Sequence, residues 1–408
     1  MFDSGFNGKY EPGPILVEFD GLVALDVPPV KRAAVKPGDA DTVRQFSNNE
    51  RNSRAGFSVG AGPMRVVAQA AFEPDSRPVY LLQSGNRVVA QGNAMEVFDL
   101  GLKRVSRVTG GYGHGVLYPA KGLIYAGQLS GLLGAIQLDS GKYRYGLELM
   151  FGQNYERNYV ARRGERVLAV SSEKMMNPHA DKMPDLSTIE MHTLSEPEGP
   201  QGLGQTTPSE LQTSLIRKGQ PVQAAANAQH VVIVIENNLF TMDWNLKIKG
   251  WVKDQFRAVQ LSLDEAGMIY LCVEELPTKQ TALWVLDAHG ARQIHFIIDA
   301  APDALIAPPI VGYDHTVYLL TERTAIAVRA DGKLLWNRPA QAQYAGAVVT
   351  ANGKLLTADG LEIVTIDLDG KRVVLFRAQE PLVTAPLMAG DGQIVVASAK
   401  TLFLLQGK

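Results

Sequence analysis

The chain has 408 residues, a formal net charge of −2 and hydrophobic residues at 46% of its positions. These values exclude a disordered chain, and the near balance of charge argues against a polybasic binder of nucleic acids or membrane surfaces. The single cysteine, Cys272, excludes an intramolecular disulfide, a cysteine-based zinc site and a CxxC redox centre.

The first 60 residues precede the regular part of the chain. They contain one strand pattern, PILVEFDGLVALDVP at 14–28, followed by a mixture of Pro, Gly and Lys. We predict that residues 1–60 form an extension packed on the main fold. No signal peptide or membrane-spanning run is recognisable. This predicts a cytoplasmic protein if Met1 is the native start, and a periplasmic or extracellular one if it is not.

From residue 79 onward, short β-type runs alternate with turns in units of about 40 residues. The clearest unit, residues 307–340, predicts four strands with the sequences PPIV, TVYLLT, TAIAVRA and KLLWNR. Gly and Asp supply the turns between them. The unit at 157–217 carries long insertions. In chain order, the eight units cover residues 79–107, 115–149, 157–217, 221–253, 258–296, 307–340, 345–377 and 382–406.

An aspartate in the turn after the third strand marks the repeat. We expect equivalent positions at Asp99, Asp139, Asp243, Asp287, Asp331 and Asp369.

The last unit, residues 382–406, supplies only three strands. Its missing outer strand is predicted at PMRVVAQAAF, residues 63–72, with the earlier pattern at 14–28 as the alternative. Closing the ring in this way removes the exposed sheet edges. The sequence therefore predicts an all-β fold over residues 61–408: an eight-bladed β-propeller of four-stranded antiparallel blades, closed by an N-terminal strand. Seven blades remain the alternative if the third unit merges with a neighbour.

The repeat resembles that of the PQQ-like, or quinoprotein alcohol dehydrogenase-like, propeller family. The matching residues in one unit are Ala307-Pro308, Asp314-His315, Val317-Tyr318, Ala325–Val328, Asp331-Gly332-Lys333 and Trp336. In that family a strand tryptophan recurs in nearly every blade, whereas this chain has four tryptophans in all. We therefore expect aliphatic packing to replace part of the tryptophan docking between blades.

The resemblance implies a fold more firmly than an activity, because enzymes and scaffolds share the repeat. The family's dehydrogenases are longer, and many carry a vicinal disulfide that one cysteine cannot form. The chain is closer to the non-catalytic scaffold members, which implies no cofactor. Two alternatives stay open: a quinoprotein-type oxidoreductase, and a propeller that binds a small molecule or glycan.

The longest interruption of the repeat, EKMMNPHADKMPDLS at 173–187, separates a second from a third strand. Such loops lie on one face of a propeller, and methionines supply an adaptable apolar contact surface. Arginines near the start of the same unit belong to a residue type that is favoured at protein interfaces. We predict partner-binding residues in both segments: Met175, Met176, His179, Asp181, Met183, Arg157, Arg162 and Arg163. The alternative is a solvated surface in both places.

The remaining motifs give weaker evidence for a function. The glycine-rich run at 110–115 precedes a strand, so no helix N-terminus is available there to hold a phosphate. The remaining histidines are scattered, and Cys272 is expected in a buried strand. The sequence predicts a non-catalytic scaffold or protein-interaction subunit of a larger assembly, with one or more protein partners. It predicts no nucleic-acid partner and no catalytic, cofactor-binding or metal-binding residue.

Overall fold

The computed structural model describes residues 62–84, 86–109, 112–118, 122–128, 132–148, 154–163, 166–173, 186–194, 209–218, 221–227, 229–264, 266–390 and 392–407. Within these ranges the chain consists of 32 strands and one short 3-10 helix, Pro302–Ala304. The predicted extension, with its strand pattern at 14–28, lies outside the described residues.

The strands up to the middle of the chain are β1 Met64–Ala71, β2 Pro78–Ser84, β3 Arg87–Gly92, β4 Ala94–Asp99, β5 Arg104–Thr109, β6 Tyr112–Tyr118, β7 Leu123–Gln128, β8 Leu132–Gln137, β9 Tyr143–Glu148, β10 Asn154–Arg163, β11 Arg166–Glu173, β12 Leu186–Leu194, β13 Ser209–Lys218, β14 Pro221–Ala226, β15 Val231–Ile235, β16 Asn238–Met242 and β17 Ile248–Lys253. The remaining strands are β18 Phe256–Leu263, β19 Ile269–Glu275, β20 Thr281–Leu286, β21 Arg292–Ile298, β22 Ile310–Val311, β23 Val317–Leu320, β24 Thr324–Val328, β25 Leu334–Pro339, β26 Tyr344–Val349, β27 Leu355–Asp359, β28 Glu362–Ile366, β29 Arg372–Arg377, β30 Leu387–Gly390, β31 Gln393–Ala397 and β32 Thr401–Gly407.

The described strands form eight sheets of four, each an antiparallel meander. The first seven sheets take consecutive strands, from β2–β5 to β26–β29. The eighth combines β30, β31 and β32 with β1, so the two ends of the described chain share one sheet. Met64 pairs with Gly407 and Ala71 with Thr401, which is the pairing predicted for residues 63–72. The four strands predicted between 307 and 340 are also confirmed, as β22–β25.

The burial of each strand explains why the second and third strands of the sheets could be predicted from the sequence. Second and third strands such as β15, β20 and β28 are buried at every residue, and they read as near-continuous apolar runs. Fourth strands face solvent. In β25 only Trp336 is buried. Apolar content therefore falls from the middle of each sheet to its outer strand.

Neighbouring sheets pack face to face through separate apolar clusters. Leu246 joins the fourth sheet to Leu168 of the third, and Leu382 lies in the cluster between the seventh and eighth sheets. The eighth sheet packs in turn on the first, where Val395 and Leu404 share a cluster with Phe98. The second and third sheets meet through β6 and β10. Apolar clusters also join the first sheet to the second, the fourth to the fifth, the fifth to the sixth and the sixth to the seventh.

The turn between third and fourth strands has a repeated geometry. Its first residue donates its backbone N–H to the carbonyl of the residue just before the fourth strand, as Asp243 does to Lys247. Where this first residue is aspartate, its carboxylate also accepts backbone N–H groups of the turn, as Asp287 does from His289 and Ala291. The equivalent first residues are Asp99, Gln137, Asp243, Asp287, Arg329 and Asp367.

This geometry corrects three of the six aspartates that were predicted to be equivalent. Asp139, Asp331 and Asp369 lie two residues beyond the equivalent positions, which are Gln137, Arg329 and Asp367. The prediction was misplaced because aspartate occupies the first residue of some of these turns and the third residue of others. Asp367 accepts the N–H groups of Asp369 and Lys371, and Asp331 accepts that of Lys333.

Four of these turns, at Gly141, Gly290, Gly332 and Gly370, pack on the outer strand of the preceding sheet. We call the contacted residue of that fourth strand the docking position. A Cβ on Gly332 would lie 2.9 Å from Ile294, and one on Gly370 would lie 3.1 Å from Trp336. Elsewhere the docking position is Ser106, whose hydroxyl donates to the Leu138 carbonyl at 2.5 Å, or Gly250. The expected aliphatic replacement of tryptophan is confirmed at Ile294, but a hydroxyl and a glycine also serve.

Leu246 gives a test of the packing between the third and fourth sheets. It has a left-handed backbone, φ 57°, yet its side chain is buried against the third sheet. Leu246→Ala loses the packing and keeps the backbone strain, whereas Leu246→Gly relieves a strain of about 1 kcal/mol. We expect Leu246→Gly to be the more stable of the two variants by about 1 kcal/mol in urea denaturation. At Leu239, buried within β16, the order should be the usual one, with alanine above glycine. The same order at both positions would contradict the strain at Leu246.

Candidate functional site

The antiparallel meander gives every sheet two distinct ends. The turns from first to second and from third to fourth strand lie at one end, which we call the turn end. The hairpins from second to third strand and the connections between sheets lie at the other, which we call the connection end. Any loop can therefore be assigned to one end from strand order alone.

The predicted methionine loop belongs to the connection end. Its residues Met175, Met176, His179, Asp181 and Met183 lie outside the described residues. The strands on either side are described, and Glu173 at the end of β11 pairs with Leu186 at the start of β12. The segment 174–185 thus leaves and re-enters the third sheet at neighbouring points.

The predicted arginines lie on β10, and their side chains are outside the described part of the structure. Arg163 pairs with Arg166 across the turn to β11, which places Arg162 and Arg163 at the turn end. Arg157 lies in the irregular stretch between Asn154 and Tyr159. The length of β11 separates Arg162 and Arg163 from the methionine loop by about 23 Å, whereas Arg157 lies towards the connection end, near Ser172. The strand order therefore places Arg162 and Arg163 at the opposite end of the sheet from the methionine loop.

The third sheet is also the largest. Its four strands have 10, 8, 9 and 10 residues. The fourth sheet, by comparison, has strands of 6, 5, 5 and 6 residues. At about 3.3 Å per residue, the third sheet is some 10 Å longer than its neighbour. The sheet that carries the interruption of the repeat thus extends beyond the sheet beside it.

A polar group at the turn end was not found from the sequence. It consists of Asn227, Asp264, Tyr270 and His315, from the first-to-second turns and second strands of three adjacent sheets. The Asn227 amide donates to the Asp264 carbonyl at 2.7 Å, and the Tyr270 hydroxyl donates to the Asp264 carboxylate at 3.1 Å. His315 Nδ1 lies 3.7 Å from the same carboxylate. Asp264 is almost fully buried, so these contacts compensate a carboxyl group that has been withdrawn from water.

Two further features show that this Asp264 group is structural. His315 has φ 63°, the conformation that Gly353 takes at the matching turn of the next sheet. Asp264 Oδ1 accepts the Met268 N–H at 2.9 Å and so fixes its own turn. Nearby, burial and then repulsion by His289 lower the pKa of His230, against the attraction of Asp264. The group fastens three sheets together, and the scattered sequence positions of its members concealed it.

A second ionic group lies towards the connection end of the seventh sheet. Arg372 contacts Asp359 at 3.1 Å and Glu362 at 2.5 Å, and Arg377 also pairs with Glu362. Asp359 accepts the N–H groups of Gln341 and Ala342 as well. Burial alone would raise the pKa of Glu362, but the hydrogen bonds and charges of the two arginines outweigh burial and hold this pKa below its ordinary value. This group ties the seventh sheet to the connection that enters it.

The structure also shows where Cys272 and the glycine-rich run lie. Cys272 is confirmed as fully buried in β19, and burial raises the pKa of its thiol. The glycine-rich run enters β6, a strand, as expected. Among the residues with described positions, no group of three or more potential ligands is arranged to hold a metal ion. Over the same residues, no helix has the length and hydropathy of a transmembrane span.

Comparisons with known proteins identify the fold. No family model matches the chain, and no curated protein matches its sequence. Solved structures do match. BamB from Moraxella catarrhalis aligns over 84% of this chain and 100% of its own, with 11% identity and a TM-score of 0.57. Sqt1 from Saccharomyces cerevisiae covers 83% and 98%, with 9% identity and a TM-score of 0.59. The Dos1 propeller covers 84% and 95%, with 8% identity and a TM-score of 0.59. At such identities the likeness concerns the fold alone, which is an all-β fold of the propeller type.

Proposed function

We propose that the chain is a single eight-bladed β-propeller that acts as a non-catalytic scaffold or protein-interaction subunit. In this proposal residues 61–408 form the ring, Met64–Ala71 closes it, and residues 1–60 are an extension packed on it. The pairing of β1 with β32 supports closure, as does the packing of the eighth sheet on the first.

The PQQ-like type of repeat is part of the same proposal. Support comes from where the repeat motifs fall. Ala307-Pro308 lies one residue before the first strand of the sixth sheet, and the same dipeptide, Ala385-Pro386, directly precedes the first strand of the eighth. Gly332 and Gly370, each followed by lysine, occupy the same left-handed position of the third-to-fourth turn. Trp336 lies at a docking position between two sheets.

The observation that carries the interaction role is the size of the third sheet. The packing between sheets makes a rigid support, and one sheet of that support extends beyond its neighbour and bears the longest interruption at its connection end. A rigid scaffold that presents an elongated hairpin and its loop is a common arrangement for binding surfaces. We place the partner's main contact on Met175, Met176, His179, Asp181 and Met183.

Arg162 and Arg163 form a second, separate contact in this proposal, whereas Arg157 lies towards the connection end and belongs with the contact of the methionine loop. Since Arg162 and Arg163 lie at the turn end, a partner that binds the methionine loop reaches them only by spanning the length of the third sheet. A compact partner would therefore depend on the loop and not on these two arginines. Dependence on both would indicate an elongated partner or two partners.

A loop exchange tests the proposed surface. Replacing residues 174–185 by Asn-Gly joins Glu173 to Leu186, which are already paired, through a two-residue hairpin turn. We expect this variant to keep the stability of the parent and to lose its partner. The measurement is native mass spectrometry of the full-length tagged chain purified gently from its own source, with the parent retaining an added mass of partner.

The matched control uses the other long connection of the same sheet. Leu194 and Ser209 are also paired, so residues 195–208 can be replaced by Asn-Gly in the same way at the turn end. This control should retain the partner. Equal retention by both variants would contradict the proposed surface, and a parent that carries no protein partner under these conditions would contradict the scaffold role.

A further inference from the structure

The strand pattern at 14–28 has no place in the eight described sheets. The position beside β32 that it could have taken is occupied by β1. The pattern contains two apolar runs, ILVEF and LVALDV, separated by Asp20-Gly21. Apolar runs on both sides of Asp-Gly are a strong signal for a β-hairpin with a two-residue turn. A hairpin of this size is marginally stable alone and needs a further strand or an apolar surface.

The outer edge of β1 offers such a strand. β1 is the terminal strand of the eighth sheet, and Val66 and Val67 are 39% and 45% exposed. Two adjacent valines are both exposed because a bulge interrupts the pairing with β32 between Val66 and Ala68. An uncovered apolar edge of this kind invites pairing with another strand.

The other outer strands with described side chains are protected differently. Each of them contains lysine, arginine, histidine or proline, which discourages the addition of a strand, although in β25 and β29 these residues lie at the strand ends. These residues are Arg104 and Arg107 in β5, Lys249 and Lys253 in β17, Arg292 and His295 in β21, Arg338 and Pro339 in β25, and Arg372 and Arg377 in β29. β1 has Arg65 near its start, and its last six residues carry no charge, histidine or proline.

The length of the linker and the charges of the two segments also allow residues 14–28 to reach and pair with β1. Residues 29–61 link the segment to the start of β1, and at about 3.3 Å per residue they reach far beyond the ~26 Å length of that strand. The segment carries Glu18, Asp20 and Asp26 and no basic residue. β1 carries the exposed Arg65 and no acidic residue. The two therefore attract each other.

We propose that residues 14–28 form a β-hairpin that adds to the outer edge of β1 and extends the eighth sheet beyond its four described strands. The hairpin covers Val66 and Val67 and leaves its own acidic residues near Arg65. The edge is then covered by the chain itself and is not a surface for a partner. This inference does not depend on the proposed scaffold role.

Cysteine cross-linking in the full-length chain tests the proposal. Cys272 is buried and has a raised pKa, so introduced cysteines react selectively. Val67→Cys is combined in turn with a cysteine at each position from 15 to 27, oxidised mildly and mapped by mass spectrometry. We expect intramolecular links at alternate positions of one strand. Val374→Cys, on β29 and 42% exposed, is the matched control and should form no such link.

Hydrogen exchange gives a second readout. In the full-length double variant V17K/V23K, the β1 amides from Val66 to Ala71 should exchange at least tenfold faster than in the parent. The buried β15 should exchange equally in both proteins, which shows that the fold is intact. Three results would each overturn the proposal: links between two chains only, links in the Val374→Cys series as frequent as in the Val67→Cys series, or unchanged exchange of β1.

Discussion

Arg372→Met will destabilise the fold by about 3 kcal/mol, because it takes the arginine from the buried Asp359 carboxylate and leaves Glu362 with Arg377 alone. The Asp359 side chain is fully buried and that of Glu362 is 6% exposed. Methionine retains much of the volume of arginine, so the loss reports the charge and not a cavity. The measurement is the free energy of unfolding from urea denaturation at pH 7.

The exposed pair Arg329–Asp331 is the control. Both side chains are about half exposed, and pairs of this kind contribute little to stability. Arg329→Met should leave the urea midpoint where it is. A similar shift in both variants would mean that the loss of an arginine, and not the burial of its partners, causes the destabilisation.

Acid should reveal the same interaction in the parent protein. The folded pKa of Glu362 lies below its ordinary value of 4.5, so its contribution is complete above that pH and is lost as the pH falls through the folded pKa. Arg372→Met lacks part of this contribution. It should therefore lose less stability than the parent when both are taken from pH 6 to pH 3.

Gly250→Ala is expected to destabilise the protein by about 3 kcal/mol, because a Cβ at this docking position meets the backbone of the next sheet. That Cβ would lie 2.4 Å from the His289 carbonyl oxygen and 2.7 Å from Thr241 Oγ1. The His289 carbonyl can yield only if the turn of the fifth sheet moves away from the fourth sheet, and Thr241 lies on the strand that pairs with Gly250. The free energy of unfolding in urea measures the effect.

Gly353→Ala is the control, because it measures the cost of a left-handed backbone without a steric clash between sheets. Gly353 has φ 75°, and a Cβ there would meet nothing within 4 Å. Its cost is the left-handed backbone alone, about 1 kcal/mol. If Gly250→Ala costs no more than Gly353→Ala, the close approach between the fourth and fifth sheets is wrong.

The candidate binding surface could be predicted only in part. The sequence located the longest interruption of the repeat and the nearby arginines, because insertions stand out against a regular pattern. It could not separate Arg163 from the methionine loop, since that requires the strand order within the third sheet. The Asp264 group was missed because its members are scattered along the chain, and only the packing of three sheets brings them together.

The sequence by itself determined the strand pattern, the four-stranded unit and the outer strand from residues 63–72. These features follow from local physics: apolar runs such as Val231–Ile235 are buried on both faces, and Gly and Asp form the turns between them. Such signals are complete within a few residues, so a single chain displays them.

Only the tertiary structure decided how neighbouring sheets are held together. The docking position is filled by Ser106, Gly250, Ile294 and Trp336 in different sheets, through a hydrogen bond, a close backbone approach or apolar packing. Each solution depends on the turn that the following sheet presents, and not on its neighbours in sequence. The repeat is consequently regular in its backbone and irregular in its residues, because the geometry of packing is shared while the chemistry of each contact is local to one pair of sheets.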